Sequence, residues 1–378
     1  MKKKVAIQKC GSYAEDEVYR KVKELVALIG GMERFVKRGE RILVKPNLLA
    51  AHSAEAAATT HPVVVKVIIR LVKEAGAFPT VGDSPGLGTA KKVAEKCGVL
   101  EACVSTGTEL IDLKDAVVRE NSSGGVFKRL EVSGEALGFD GIISVPKLKT
   151  HVQMYLTLGV KNIFGCVPGK RKPQWHLAAG TDTLAFAGMI LDLYLFIKPR
   201  LTIMDAVVAM EGNGPASGEP KHLGLLFASE DAIAMDAVAA ETLSARAEDL
   251  PILAVAAGQG IKTANVHCVD VVGEMICDVK VRGFKFPPLI SANFAAKLPD
   301  FLDRRVRKAL TARPRIHHDK CTLCSVCVDT CPPGIMGKAR RIEINYDKCI
   351  RCYCCQEICP QGAITVKEGW LKKIISGL

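Results

Sequence analysis

Cys321, Cys324, Cys327 and Cys331 are followed by Pro332, and Cys349, Cys352, Cys355 and Cys359 are followed by Pro360. Both runs read C-x2-C-x2-C-x3-C-P, the second 28 residues after the first. Asp319-Lys320 recurs at that offset as Asp347-Lys348, and Gly334 as Gly362, so the runs are two copies of one unit. Three thiolates at this spacing take three corners of a [4Fe–4S] cubane, and the fourth cysteine of each run serves the other cluster. The spacing therefore predicts two [4Fe–4S] clusters. One falls on Cys321, Cys324, Cys327 and Cys359, the other on Cys349, Cys352, Cys355 and Cys331. The proline after each fourth cysteine stops the local helix. Structural zinc would use C-x2-C pairs and disulfides an oxidising compartment; both fit the pattern less well. Cys354 stands outside it as a spare thiol beside Cys355.

Four polar runs earlier in the chain follow apolar stretches, where open α/β sheets place ligands. They are Lys45-Pro46-Asn47, Gly82 to Gly86, Pro146 to His151, and residues 205–221. The third opens a segment dense in cations and glycines that runs to His176. Within it, Lys149 and Lys161 are candidates to balance an anion, Asn162 to orient it, and His151 or His176 to move protons near neutral pH. Gly165, Gly169 and Lys170 resemble an anion-binding turn, in which glycines let backbone N–H groups approach. With Asp83 and Ser84 they are the candidate residues for an organic cofactor. The alternatives are a plain turn at Asp83-Ser84-Pro85-Gly86 and a solvated basic loop. Neither a P-loop nor a dinucleotide fingerprint is met, since Gly165 and Gly169 sit one residue too close and Gly212-x-Gly214 lacks a third glycine.

The elements that must position these residues alternate. Strands are expected over 3–9, Arg41 to Pro46 and at Thr80, with helices over 14–29, from Pro62 to Gly76, and from Thr89 to Lys96. Residues 108–136 read as short, partly antiparallel strands, Phe139 to Val145 as a buried strand, and 181–198 as an apolar helix ended by Pro199. Strands at Leu201–Ala206, Leu223–Ala228 and His267–Val272, with a helix at 233–243, complete an α/β body with buried parallel strands. Polar runs such as Pro146–His151 and 205–221 are expected to be loops. The fold class expected is a two-lobed α/β body with a cleft (1–280), a basic linker (281–316) and a small α+β two-cluster domain (317–378).

The chain has 378 residues, 48% hydrophobic and 24% charged, which suits a globular protein of two or three domains. No run of 18 apolar residues is present and the N-terminus lacks a signal pattern, so a soluble, cytoplasmic protein is expected, with no membrane partner. The net charge of +12 comes with only 5% aromatics, and no stacking pattern accompanies it, which argues against nucleic acid. The densest cationic run, Arg304, Arg305, Arg307, Lys308, Arg313 and Arg315, reads as a linker face or a dock for an acidic electron donor or acceptor protein.

The cysteine-rich segment resembles a bacterial two-cluster ferredoxin domain. The body motifs Lys45-Pro-Asn, Thr60-His-Pro, Gly82-Asp-Ser-Pro-Gly, Pro146-Lys-Leu-Lys-Thr-His, Lys161-Asn-Ile-Phe-Gly, Glu211-Gly-Asn-Gly-Pro and Asp231-Ala-Ile-Ala-Met-Asp236 resemble domain-of-unknown-function family 362. A fainter similarity to the lactate racemase fold rests on the basic glycine turn from Lys161 to His176. These resemblances imply the architecture and leave the reaction open. Three functions are compatible: an oxidoreductase relaying electrons to an anionic organic substrate or a further cofactor, an electron carrier docking a partner, and a non-redox isomerase with structural clusters.

Overall fold

The computed structural model describes residues 2–121, 125, 127–288 and 312–367. Among these residues twelve strands build the body: β1 (Lys3–Lys9), β2 (Arg41–Pro46), β3 (Phe78–Asp83), β4 (Glu109–Asp112), β5 (Ala116–Glu120), β6 (Arg129–Ser133), β7 (Gly141–Val145), β8 (Lys147–His151), β9 (Tyr155–Thr157), β10 (Leu201–Glu211), β11 (Glu219–Ser229) and β12 (Val269–Gly273). Ten form one sheet in the order β12-β1-β11-β10-β7-β2-β3-β4, with β8 branching from β10 and carrying β9. Its half β7-β2-β3-β4 is parallel, and in its other half β11 runs antiparallel to both β1 and β10.

The central strands β2, β7 and β10 are buried on both faces, successive side chains turning to opposite sides. Ile42 and Val44 of β2 join the core beneath the helices Glu15–Ala27, Pro62–Glu74 and Ala90–Cys97, whereas Leu43 points to the core beneath Thr183–Ile197 and Ala232–Thr242. Pro62 at the first helical position and the His61 ring, which accepts from Val63 N–H at 3.3 Å, start one helix. Asp182 starts another by accepting from Leu184 and Ala185 N–H, both at 2.9 Å. The helix Thr183–Ile197 lies deep and is apolar on every side apart from the buried Asp192, which accepts from Phe127 N–H at 3.2 Å; each buried Leu or Phe contributes about 2 kcal/mol.

The α/β class holds, and three local expectations change. Lys147–His151 is not a loop but strand β8, with all five residues buried; its lysines looked like solvated polarity because their burial depends on partners far away in sequence. The run 205–221 is largely a hairpin, with only 212–218 between the long strands β10 and β11. The sheet is mixed rather than uniformly parallel. A continuous apolar run signals burial on both faces but carries no information on strand direction.

The cysteine-rich domain contains β13 (Arg313–Ile316), β14 (Met336–Lys338), β15 (Ile342–Ile344) and β16 (Ile364–Lys367), with one-turn helices at Val326–Asp329 and Cys354–Glu357. β13 pairs with β16 and β14 with β15. The 28-residue repeat is written into the backbone: the left-handed residues Leu323, Ser325 and Gly334 recur as Arg351, Tyr353 and Gly362. The junction differs from the expected linker 281–316. Phe286 stacks on Tyr155 at 4.9 Å and Gly212 N–H donates to Lys285 C=O at 2.7 Å, so the body continues to about 288. Arg313–Ile316 belongs to the small domain through its pairing, and of the cationic run Arg304, Arg305, Arg307 and Lys308 lie outside the described residues. The small domain docks on the body through Gln356, whose Nε2 donates to Asn213 O and Oδ1 (both 3.1 Å) and Gly214 O (3.2 Å).

Candidate functional site: a buried cationic pocket against the cysteine domain

At the carboxyl ends of β2 and β3, Lys45 and Asp83 face each other at 2.8 Å, both buried. Asp83 Oδ1 also accepts from Ser84 N–H (2.9 Å) and Oδ2 from Leu48 N–H (2.7 Å), so both oxygens are engaged. Gly165 packs on this pair, and its absent side chain is what admits it: a Cβ there would lie 2.0 Å from Asp83 Oδ1 and 2.4 Å from Lys45 Nζ. Asn162 is fixed beside them, its amide donating to Ser144 Oγ (3.0 Å) and Lys45 O (3.3 Å) while Oδ1 accepts from Asn47 (3.2 Å). Asp83 and Asn162, expected to touch a cofactor and a substrate, line the cavity with these protein partners already engaged.

Above this frame lies a cavity of about 100 Å³, partly open to solvent. Lys149, Thr157, Lys161, Phe164, Gly169, Lys172 and His176 line it from the body. Thr330, Cys354, Glu357 and Ile358 close it from the cysteine domain. Lys149 donates to Ala58 C=O at 2.5 Å, Lys172 to Ser84 C=O and to Pro85 C=O (3.3 Å), and Lys161 Nζ sits 5.7 Å from the Phe164 ring centre. His176 stacks on Phe186, centroids 4.1 Å apart. Its Nδ1 and Thr157 Oγ1 are buried without a hydrogen-bond partner among the described residues, an arrangement that costs about 1–3 kcal/mol per group unless something else supplies the bond.

Burial dominates the electrostatics. It pushes Lys149 down to about 7 despite nearby Glu357, and Lys172 to about 8. Burial likewise keeps His176 neutral, near 3, and His151 neutral, near 4. Burial would raise Glu357, but His151, Lys161 and His176 outweigh it and hold the carboxylate well below its usual range. His151 lies behind the pocket wall. Its Nδ1 accepts from Gln153 and Met154 N–H at 3.1 and 3.2 Å, and its Nε2 is 3.7 Å from Glu357 Oε2, too long for a hydrogen bond and an ion pair only if the imidazole is protonated. An anion in this pocket binds the ammonium forms. Its affinity should therefore fall as pH rises through 7 and 8, by up to about tenfold per unit for each ammonium proton lost, in titrations between about pH 6 and 9. Lys147, Lys161 and Asp83 also act on Lys149, and Asp83, Lys45, Glu357 and Lys161 on Lys172.

Two smaller cavities lie within the cysteine domain. Cys321, Cys324, Cys327 and Cys359 line one, with Ile316, Ile342 and Ile364; Cys331, Cys349, Cys352 and Cys355 line the other, with Pro314, Ile344 and Tyr353. Four thiols in an apolar shell suit an iron–sulfur cluster. Among the described residues no set of Cys, His, Asp or Glu converges as a single metal ion would need. Cys354 lines neither cavity and faces the body pocket instead.

Lys149, Lys161, His176, Ser84, Gly165 and Gly169 converge as the motif reading expected. Lys170 contributes backbone to the turn Gly169–Arg171; its side chain lies outside the described residues. Glu357, Cys354 and Thr157 were missed. Glu357 and Cys354 are hidden inside a ligand motif that already accounts for their neighbourhood, and Thr157 sits on a strand too short to announce itself.

Residues 42–241 match the model of a domain of unknown function, DUF362, which covers more than half of the chain. The chain belongs to the DUF362 family. Residues 313–360 match a 4Fe-4S dicluster domain, so this DUF362 protein carries an iron–sulfur electron-transfer module. Thylakoid-associated protein sll1697 of Synechocystis sp. (strain ATCC 27184 / PCC 6803 / Kazusa) is 39% identical over 254 residues, 67% of this chain and 78% of that protein. Among solved structures, the lactate racemase apoprotein from Thermoanaerobacterium thermosaccharolyticum aligns with a TM-score of 0.37 and 13% identity over 57% of this chain and 54% of that one. No helix among the described residues is long and apolar enough to cross a membrane. The DUF362 match contains Lys45, Asp83, Lys149, Lys161 and His176, whereas Cys354 and Glu357 come from the dicluster match. The pocket is therefore composite, completed by a wall the DUF362 region does not supply.

Proposed function

We propose that this protein is an iron–sulfur oxidoreductase in which two [4Fe–4S] clusters deliver electrons to an anionic organic substrate, or to a further cofactor, in the body pocket. One observation carries the reading: Cys354 and Glu357, on the pocket wall, lie on the one-turn helix that contains Cys355 and ends beside Cys359. The cluster ligands proposed are Cys321, Cys324, Cys327 and Cys359 for one site and Cys349, Cys352, Cys355 and Cys331 for the other. Bound there, the clusters supply one-electron chemistry. Lys149 and Lys161 hold the anion by charge, Phe164 and Ile358 exclude water beside it, and His176, neutral at pH 7, accepts or donates a proton at Nδ1. The electrons come from a partner protein of acidic surface. Arg313, Arg315, Lys338, Arg340 and Arg341 are exposed on the small domain and suit it. We place the reaction in the cytoplasm, consistent with buried, unpaired Cys10, Cys97, Cys103 and Cys166, and without nucleic acid or membrane.

That basic surface also favours a second reading, an electron carrier without chemistry of its own. Anaerobic reoxidation of the reduced clusters separates the two. Acceleration by a small anion supports the oxidoreductase, and acceleration by protein partners alone supports the carrier. Lys149→Ala and Lys161→Ala should each weaken anion binding about tenfold or more while cluster absorbance is unchanged; unaltered binding in both would remove the pocket from the mechanism. Mass spectrometry of small molecules released on denaturing the anaerobically purified protein would show whether the pocket already holds a cofactor.

A further inference from the structure

The charges around the pocket do not balance. Lys45 and Asp83 neutralise each other at 2.8 Å. That leaves Lys149, Lys161 and Lys172 facing one carboxylate, Glu357, which is itself directed at His151. Among the described residues none of the three lysines has a carboxylate within ion-pair distance. Lys149 and Lys172 donate to backbone carbonyls, and Lys161 lies against an aromatic face. With all three protonated the side chains lining the cavity carry an excess of two positive charges. Such an excess in a buried site is relieved by proton loss or by a bound counter-charge.

Polar groups on the same wall ask for more than charge. Among the described residues, Thr157 Oγ1 and His176 Nδ1, in residues more than nine-tenths buried, have no partner, and Asn47 Oδ1 on the rim has none. Leu48, Phe164, Pro173, Pro215 and Ile358 supply apolar surface between these points. A bare inorganic ion would leave that surface uncovered, so an organic frame fits.

We infer that the pocket selects a small organic dianion, a dicarboxylate or a phosphate monoester, over a monoanion of the same size. The inference deepens the anion reading of this site and rests on it. The depressed Lys149 and Lys172, near 7 and 8, agree with a site that is over-positive until a dianion enters.

The test uses the anaerobically purified, cluster-loaded full chain and three probes in calorimetric titration at neutral pH: butyrate, succinate and inorganic phosphate. Butyrate and succinate share a carbon count and differ by one charge. Succinate or phosphate should bind about tenfold or more tightly than butyrate, and Lys161→Gln, with cluster absorbance confirming a folded protein, should narrow that ratio to about threefold or less. Tight succinate with weak phosphate supports a dicarboxylate; the reverse supports a phosphate monoester. Equal binding of butyrate and succinate, both weakened in Lys161→Gln, overturns dianion selection and leaves the anion reading standing. Absence of binding by all three probes overturns both.

Discussion

Cys331→Ala should cost the protein about half of its iron and leave the cluster on Cys321, Cys324, Cys327 and Cys359 in place. In sequence Cys331 closes the first run, yet it lines the cavity of Cys349, Cys352 and Cys355. A cubane holds all four irons through four thiolates, and losing one exposes an iron to solvent and oxidant. Cys354 lines the body pocket, but its thiol also lies within hydrogen-bond reach of the Cys352 thiol, so the double variant Cys331→Ala, Cys354→Ala removes it as a substitute ligand. Iron analysis and low-temperature electron paramagnetic resonance would read the result. Cys359→Ala should show the mirror pattern, losing the cluster of the first run. If Cys331→Ala instead abolished the site of Cys321, Cys324 and Cys327, each run would keep its own fourth ligand and the crossed arrangement would be wrong.

Gly165→Ala should be among the most destabilising single-methyl changes in the body. The added carbon would fall 2.0 Å from Asp83 Oδ1 and 2.4 Å from Lys45 Nζ, inside a pair that is buried on both sides. Neither charge can retreat to water. Asp83 is tied to Leu48 and Ser84 N–H, and Lys45 to Pro46 C=O at 3.0 Å. Breaking such a pair while both charges stay buried costs about 3–5 kcal/mol, and the pocket frame goes with it. Gly258→Ala is the control, since nothing lies within 4 Å of a Cβ there and the site is helical; its effect should be under about 1 kcal/mol. Denaturant midpoints followed by near-ultraviolet signals of the body would compare them. A Gly165→Ala protein as stable as Gly258→Ala would show that the frame is far softer than its packing indicates.

Local features were legible before any fold was seen, and distant ones were not. Pro62, Gly76, Gly98 and Pro199 marked helix ends because backbone geometry acts at one residue. The cysteine runs were legible because cluster ligation imposes a spacing along the chain. Lys149 and Lys161 stood out by type, but their burial did not, for it depends on a sheet whose strands come from across the chain. Lys147 shows the limit. It looked like part of a basic loop, and it sits buried on β8 with Asp205 at 2.8 Å and the Tyr13 hydroxyl at 2.9 Å, partners 58 and 134 residues away. Glu357 was invisible for another reason: nothing in a cluster motif says which of its intervening residues turns outward toward a second domain.

The 28-residue duplication makes the small domain a plug with two similar ends, and similar ends invite insertion the wrong way round. The copies differ where the plug meets its socket. Cys354, Gln356 and Glu357 correspond to Val326, Val328 and Asp329 in the first copy. Only the second end offers an amide that can reach three oxygens of Asn213 and Gly214, and only its longer acid meets His151. A valine in place of Gln356 would leave those oxygens without their donor, so reversed seating forfeits its polar contacts. The asymmetry acts as a key: it determines which half of a nearly symmetric object faces the pocket, and so the orientation in which electrons would cross.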